Sequence, residues 1–180
     1  MKMKNNTKSY NATVIVALLT IFWISCFHIL PESIADTRKR VKIEKLYMHY
    51  QKKFPEIQDV NPRTAIELTN TGKVVFIDVR EPDEQSVSRL PGAITADFYL
   101  ADPERYDDYI KIGYCTIGHR SGIFAQELGQ RGIPIYNLRG GMLAWVHDGG
   151  KVYNGAAETK RIHVYGEEWN LGPESFEAVW

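Results

Sequence analysis

Cysteine is scarce in this chain: two residues in 180. Cys26 falls inside an apolar N-terminal run, so everything beyond residue 30 holds Cys115 alone and can close no disulfide within itself. A disulfide-built scaffold is thereby excluded. Nor is charge of one sign in excess, since 22 basic side chains balance 22 acidic ones. Lys2, Lys4 and Lys8 meet no acid in the first thirty residues, which leaves 19 basic against 22 acidic groups for the remainder. A nucleic-acid partner would need a basic face, and none is indicated. Internal repeats and low-complexity tracts are absent from the sequence, which excludes a solenoid. No pair of histidines stands at metal-ligand spacing with Cys115, and His147 and His163 read as packing or surface residues. Neither a metal nor an organic cofactor is implied.

What is there is an ordinary globular composition, 44% hydrophobic and 24% charged, in a length that suits one domain with a real core. Ahead of it, Ala12 to Leu30 form an apolar run of 19 residues behind the lysines. The run is longer than a signal-peptide core and close to a membrane span, so residues 1–35 read as a membrane anchor. Small residues in "SIA", Ser33 to Ala35, keep cleavage after Ala35 open, and the segment is then a signal peptide. Acylation of Cys26 fits poorly, because Trp23 and Ile24 are bulky where small residues are wanted. Positive flanks resist translocation, so the lysines place the N-terminus in the cytoplasm and the domain outside it, tethered or exported to the periplasm. The basic "TRKR" at 37–40 argues weakly the other way.

Asp36 is predicted to cap a connecting helix over 36–54, with Val41, Lys45 and Met48 on one stripe and Leu46, Tyr50 and Phe54 beside it. Asn61-Pro62 opens a second helix. "KVVFIDV" (73–79) is a continuous apolar run that suits a strand buried on both faces, and 92–98, 112–116 and 133–138 are shorter strand candidates. Helices are predicted over 119–132 and around Met142 to His147. Strands alternating with helices predict an α/β fold in three layers, a mostly parallel central sheet flanked by helices. The aromatic-rich tail, residues 151–180, holds Tyr153, Tyr165, Trp169, Phe176 and Trp180, too many rings for a solvated linker. It is expected to dock on the domain or to serve a partner.

Cys115 falls at the carboxyl end of a predicted strand, where open α/β sheets bind ligands and a following helix presents free N–H groups. Such a place favours a thiolate. Arg120 adds a fixed cation, and Gly118 lets successive N–H groups turn inward as an anion nest.

At this point the residues carry a resemblance. "CTIGHRS" (115–121) is similar to the C-x-x-G-x-R-S loop of rhodanese-like sulfurtransferases. Upstream, Asp78, Val79, Arg80, Glu81, Pro82, Glu84, Pro91, Gly92 and Ala93 match the family's "DVREPxE…PGA". Downstream, Leu138, Gly140, Gly141, Ala144 and Trp145 match its "L-x-G-G-x-x-A-W". The resemblance spans about residues 55–150, and it implies a rhodanese-like fold in which Cys115 is the nucleophile and persulfide carrier. It further implies that Thr116, Ile117, Gly118, His119 and Arg120 form the substrate-binding loop, their N–H groups steadying the persulfide while Arg120 and His119 face the incoming anion. The donor would be a small sulfur compound such as thiosulfate or a persulfide, and the acceptor a thiol or cyanide. Asp78, Arg80 and Ser121 are supporting residues, the first two tying the strand end to the loop.

Two departures stand out. Arg89 occupies a position where many members have histidine, a change in local charge. Ile117 is bulky and apolar where small or basic residues are common, so a donor less polar than thiosulfate is expected. Cysteine phosphatases of related fold place arginine six residues after cysteine, and here the interval is five, a ring better sized for sulfur than for phosphate. An arsenate reductase would lack its resolving cysteine. A catalytically silent binding or scaffold module at the membrane remains the alternative. A lone reactive thiol outside the cytoplasm would also call for a redox partner protein.

Overall fold

The computed structural model describes residues 33–180, and the apolar run with its cysteine lies outside the described residues. Residues 34–180 pack as one unit. Its sheet is best understood from β2, Val74–Asp78. Val75 and Ile77 point into one core with Tyr99, Ala125 and Leu128, while Phe76 points into the other with Ile112, Leu138 and Trp145. Alternate residues thus serve opposite faces and both faces are covered, which is why the run is apolar without interruption. Each large side chain buried in this way contributes about 1.5–3 kcal/mol.

The remaining strands of the sheet are β1 (Asp59–Val60), β3 (Ile94–Thr95), β4 (Ile110–Tyr114) and β5 (Tyr136–Leu138). Their order is β1-β5-β4-β2-β3, with every pair parallel and β4 in the middle. The predicted α/β fold is therefore present. On the Phe76 side lie α1 (Ile34–Gln51), α2 (Pro62–Thr69) and α6 (Gly141–His147), contributing Ile43, Ala65, Met142, Leu143 and Trp145 to the core. Trp145 meets Phe76 edge to face at 5.2 Å. The opposite side is covered by α4 (Ala96–Ala101) and α5 (His119–Gln130), through Tyr99, Ala125 and Leu128. A short α3, Pro82–Val87, leads away from β2.

After α6 the chain forms β6 (Val152–Asn154) and β7 (Ala157–Thr159) as an antiparallel ribbon, then β8 (Arg161–His163) and β9 (Glu177–Val179) as a parallel pair. Val152, Ile162, Val164 and Leu171 are buried in the core, so residues 151–180 are an integral layer. Arg89 joins it to the domain, exchanging backbone hydrogen bonds with Tyr153 at 2.8 and 2.9 Å.

Four details differ from the sequence expectations. Along α1, Val41 and Met48 are about half exposed, at 49% and 53%, while Ile43 and Tyr47 are buried. The neighbouring stripe does pack inward, with Leu46 and Tyr50 half-buried against the core and Phe54 buried just past the helix, so the buried face is centred on Ile43 and Tyr47 and not on Val41 and Met48. The helix also begins before Asp36, whose Oδ1 instead accepts the Glu174 amide at 2.9 Å and so holds the C-terminal segment. The strand expected over 92–98 stops at Thr95, because the Thr95 hydroxyl caps α4 by accepting the Phe98 amide at 3.1 Å. The sequence reading missed α3, although Glu81 and Glu84 form a reciprocal capping box around Pro82. Among the described residues, no helix is long and apolar enough to cross a membrane.

Candidate active site

Cys115 follows the last residue of the central strand and is 1% exposed, with α5 starting four residues on. Its surroundings begin at the strand ends. Asp78, closing β2, accepts the Arg80 guanidinium through both oxygens, Nε to Oδ1 at 2.9 Å and Nη2 to Oδ2 at 2.7 Å. It also accepts the Tyr114 hydroxyl at 2.5 Å, while Arg80 Nη2 donates to the Ser88 carbonyl at 2.6 Å. Burial, with the Asp78 charge beside it, pushes the Tyr114 hydroxyl well up, so it stays protonated and keeps donating. Burial works against the Arg80 charge, but the Asp78 hydrogen bonds and the surrounding negative groups hold its pKa above the usual arginine value. The expected tie between Asp78, Arg80 and the active-site loop thus runs through Tyr114, the residue next to Cys115.

Three supports hold the loop itself. From α3, Glu84 grips Arg120 in a two-pronged ion pair, 2.6 Å from Nη1 and 2.8 Å from Nη2, and accepts the Thr116 hydroxyl at 3.1 Å. Burial raises the Glu84 carboxyl, but hydrogen bonds from Arg120 and the Glu81 amide, with the charges of Arg120 and Arg80, outweigh it and leave the group titrating below the ordinary glutamate range. From below, α6 donates the Met142 amide to the Cys115 carbonyl at 2.9 Å and the Leu143 amide to the Thr116 carbonyl at 3.1 Å. Gly141 permits that approach: a Cβ there would lie 2.4 Å from the Cys115 carbonyl oxygen, at a φ of +58°. From behind, Asn137 of β5 donates to the Gly118 carbonyl at 3.1 Å and accepts the Ser121 hydroxyl at 2.6 Å. Asn137 also donates to the Tyr47 hydroxyl at 2.9 Å, which in turn hydrogen-bonds Asp59.

Gly118 turns the chain with φ +87°, and the Tyr47 ring leaves no room for a Cβ at this point, the nearest carbon lying 2.8 Å away. In that conformation the Gly118 N–H donates to Cys115 Sγ at 3.1 Å. An N–H aimed at sulfur stabilises negative charge on it.

Cys115 borders a cavity of about 270 Å³, walled also by Thr116, Ile117, His119, Arg120, Tyr50, Tyr165 and Trp169. Five of the predicted loop residues, Cys115, Thr116, Ile117, His119 and Arg120, meet there. Gly118 acts through its backbone, and Asp78, Arg80 and Ser121 face the supporting network instead. His119 stacks on Tyr50 at 4.4 Å, and burial, then the Lys53 and Arg120 charges, push its pKa down, so it is neutral at pH 7. Larger hollows of about 540 and 410 Å³ lie elsewhere, and neither includes Cys115. Among the described residues no group of three or more His, Cys, Asp or Glu is placed to hold a metal ion.

Sequence reasoning gave no role at this site to Glu84, Asn137, Tyr114, Tyr50, Tyr165 or Trp169. Glu84 had a signal, since it stands in the capping pattern that places it at the start of α3. The three aromatic wall residues had none, because they arrive from both ends of the described chain.

Comparisons with known proteins agree with this fold. A model of the rhodanese-like domain matches residues 61–148. A protein named sulfurtransferase from Allochromatium vinosum is 33% identical over 87 residues, covering 46% of this chain and 80% of that protein. An uncharacterized protein of Synechocystis sp. is 30% identical over 94 residues, and the chain spans about half of its length, 52%. Among solved structures, thiosulfate sulfurtransferase from Pseudomonas aeruginosa superposes with a TM-score of 0.52 at 21% identity, over 64% of this chain and 23% of that one, a likeness of fold. With its parallel sheet, its cysteine loop and a relative matched over most of that relative's length, the chain belongs to the rhodanese-like domain family.

Proposed function

We propose that the protein is a sulfurtransferase that carries sulfane sulfur as a persulfide on Cys115 and passes it to a thiol or cyanide. The observation that carries this reading is the Gly118 N–H donating to Cys115 Sγ at 3.1 Å, in a buried loop at the end of the central strand. The thiolate attacks the outer sulfur of the donor. A new S–S bond forms at Sγ, the bond from that sulfur to the rest of the donor breaks, and the remainder leaves with the electron pair as sulfite, a sulfinate or a thiolate. The acceptor then attacks the terminal sulfur, and the Cys115 thiolate is released. Charge is conserved in each exchange and no external oxidant or reductant enters.

The roles of the surrounding residues follow from their contacts. The Gly118 N–H steadies the anionic sulfur before and after transfer. Arg120, held by Glu84, keeps a fixed positive charge at the cavity wall, and Asp78, Arg80, Tyr114 and Asn137 position the loop without touching the donor. Incubating the full chain in mild detergent with thiosulfate or an organic persulfide, then weighing it intact, tests the reading. A gain of one sulfur atom that is absent from Cys115→Ser is expected. No gain with any donor would favour the silent scaffold.

The placement of the domain outside the cytoplasm is part of the same proposal and rests on the lysine-flanked apolar run. Protease added to intact spheroplasts should digest the domain, and protection until lysis would overturn the placement.

A further inference from the structure

The matched family region ends at residue 148, yet three of the cavity walls come from outside it. Tyr50 belongs to α1, and Tyr165 and Trp169 belong to the C-terminal segment. Tyr165 lies over the Arg120 guanidinium at 5.1 Å and meets Trp169 edge to face at 5.9 Å, while Tyr50 stacks on His119.

These rings are held in place from both sides. Lys39 of α1 donates to the Gly172 carbonyl at 2.8 Å, Lys42 to the Glu168 carbonyl at 3.3 Å, and the Glu174 amide to Asp36 at 2.9 Å. His147 of α6 lies 2.7 Å from the Leu171 carbonyl. Helix and tail thus fasten each other around the mouth of the cavity.

The cavity offers little to a doubly charged inorganic anion. Arg120 is already paired with Glu84 and covered by the Tyr165 ring, and Ile117 forms an apolar wall. Lys53, 3.4 Å from His119 and over the Tyr50 ring, does not line the cavity. Beside Thr116 and the neutral His119, the rest of the lining is the flat rings of Tyr50, Tyr165 and Trp169, in a volume at the small end for ligand sites.

We infer that Tyr50, Tyr165 and Trp169 form an aromatic collar that selects the sulfur donor, favouring a small organic sulfane compound with a flat apolar body, an aryl thiosulfonate or aryl persulfide, over inorganic thiosulfate. The inference rests on the sulfurtransferase reading. An aryl group seated against the walls that Tyr165 and Trp169 form gains stacking and area burial that thiosulfate cannot. Each ring contact contributes about 0.5–1.5 kcal/mol beyond burial, or about 2- to 10-fold in kcat/KM.

The test compares benzenethiosulfonate with thiosulfate on the full chain, at fixed cyanide, with intact mass reporting the persulfide. The native chain should prefer benzenethiosulfonate by about 100-fold or more in kcat/KM, a few ring contacts plus the burial of the aryl group. Tyr165→Ala, at a side chain 49% exposed, should cut that preference at least about 5-fold. Trp169→Leu provides a second reading that keeps an apolar plug if alanine loosens the tail. A ratio between two donors on one cysteine is insensitive to general loss of folded protein. Equal use of both donors, or a preference untouched by either variant, overturns the collar and leaves the sulfurtransferase reading standing. Loading by neither donor overturns the sulfurtransferase reading itself.

Discussion

The family region, residues 61–148, and the segments on either side of it make different contributions to one site. The first supplies the proposed nucleophile, Cys115, and a rigid frame: the Glu84–Arg120 clamp, the Asp78–Arg80–Tyr114 network and the α6 floor. The second supplies the walls and outer bracing, Tyr50, Tyr165 and Trp169 at the opening and Tyr47 behind the loop. The Asp78–Arg80–Tyr114 contacts of the frame are fully buried, whereas the fastenings between α1 and the tail are exposed or half-buried. On the proposed reading, the frame sets the chemistry and the flanks set access to it.

The comparison breaks most severely at Gly141. Gly141→Ala should cost about 3 kcal/mol or more, since the added carbon meets the Cys115 carbonyl at 2.4 Å and the backbone keeps a positive φ. Urea denaturation would show it, and sulfur transfer should fall with it. Next comes Glu84→Gln, which leaves Arg120 without its charged partner in a mostly buried setting and should cost about 2 kcal/mol.

The same carboxylate gives a pH signature. Its folded pKa is lowered, so its contribution is complete above the unfolded value and is lost as pH falls through the folded one. The urea midpoint should therefore drop below about pH 4.3 in the native chain and less steeply in Glu84→Gln.

Smaller effects belong to the flanks. Tyr47→Phe removes the hydroxyl shared by Asn137 and Asp59 and should cost about 1 kcal/mol, with the loss seen as a lower urea midpoint. Lys39→Met, which cuts one fastening of the tail, should change stability by less than about 0.5 kcal/mol. A large loss there would mean that the tail belongs to the frame.

The same division decides what could be read from the chain. β2, β4 and α5 were legible because local pattern and burial agree: a two-face strand, a short strand before the cysteine, and a helix closed by glycine. Cys115, Gly118 and Arg120 were legible because one loop carries them all. Glu84 and Asn137 were not, because their partners lie 36 and 19 residues away and only the sheet order joins them. Tyr165 and Trp169 were visible as aromatics but not as cavity walls, since no local rule brings a tail back over a strand end. The buried face of α1 was legible at Leu46 and Tyr50 but not at its centre, as Tyr47 is chosen by Asn137 and Gly118 and not by its neighbours in the helix.

The central claim is that Cys115 holds transferable sulfur. The direct measurement is the intact mass of the full chain after exposure to benzenethiosulfonate, before and after cyanide, beside Cys115→Ser. The account predicts one added sulfur atom on the native chain, its loss on cyanide with thiocyanate formed in equal amount, and no addition to the variant. An unchanged native mass, or the same addition to Cys115→Ser, would contradict it.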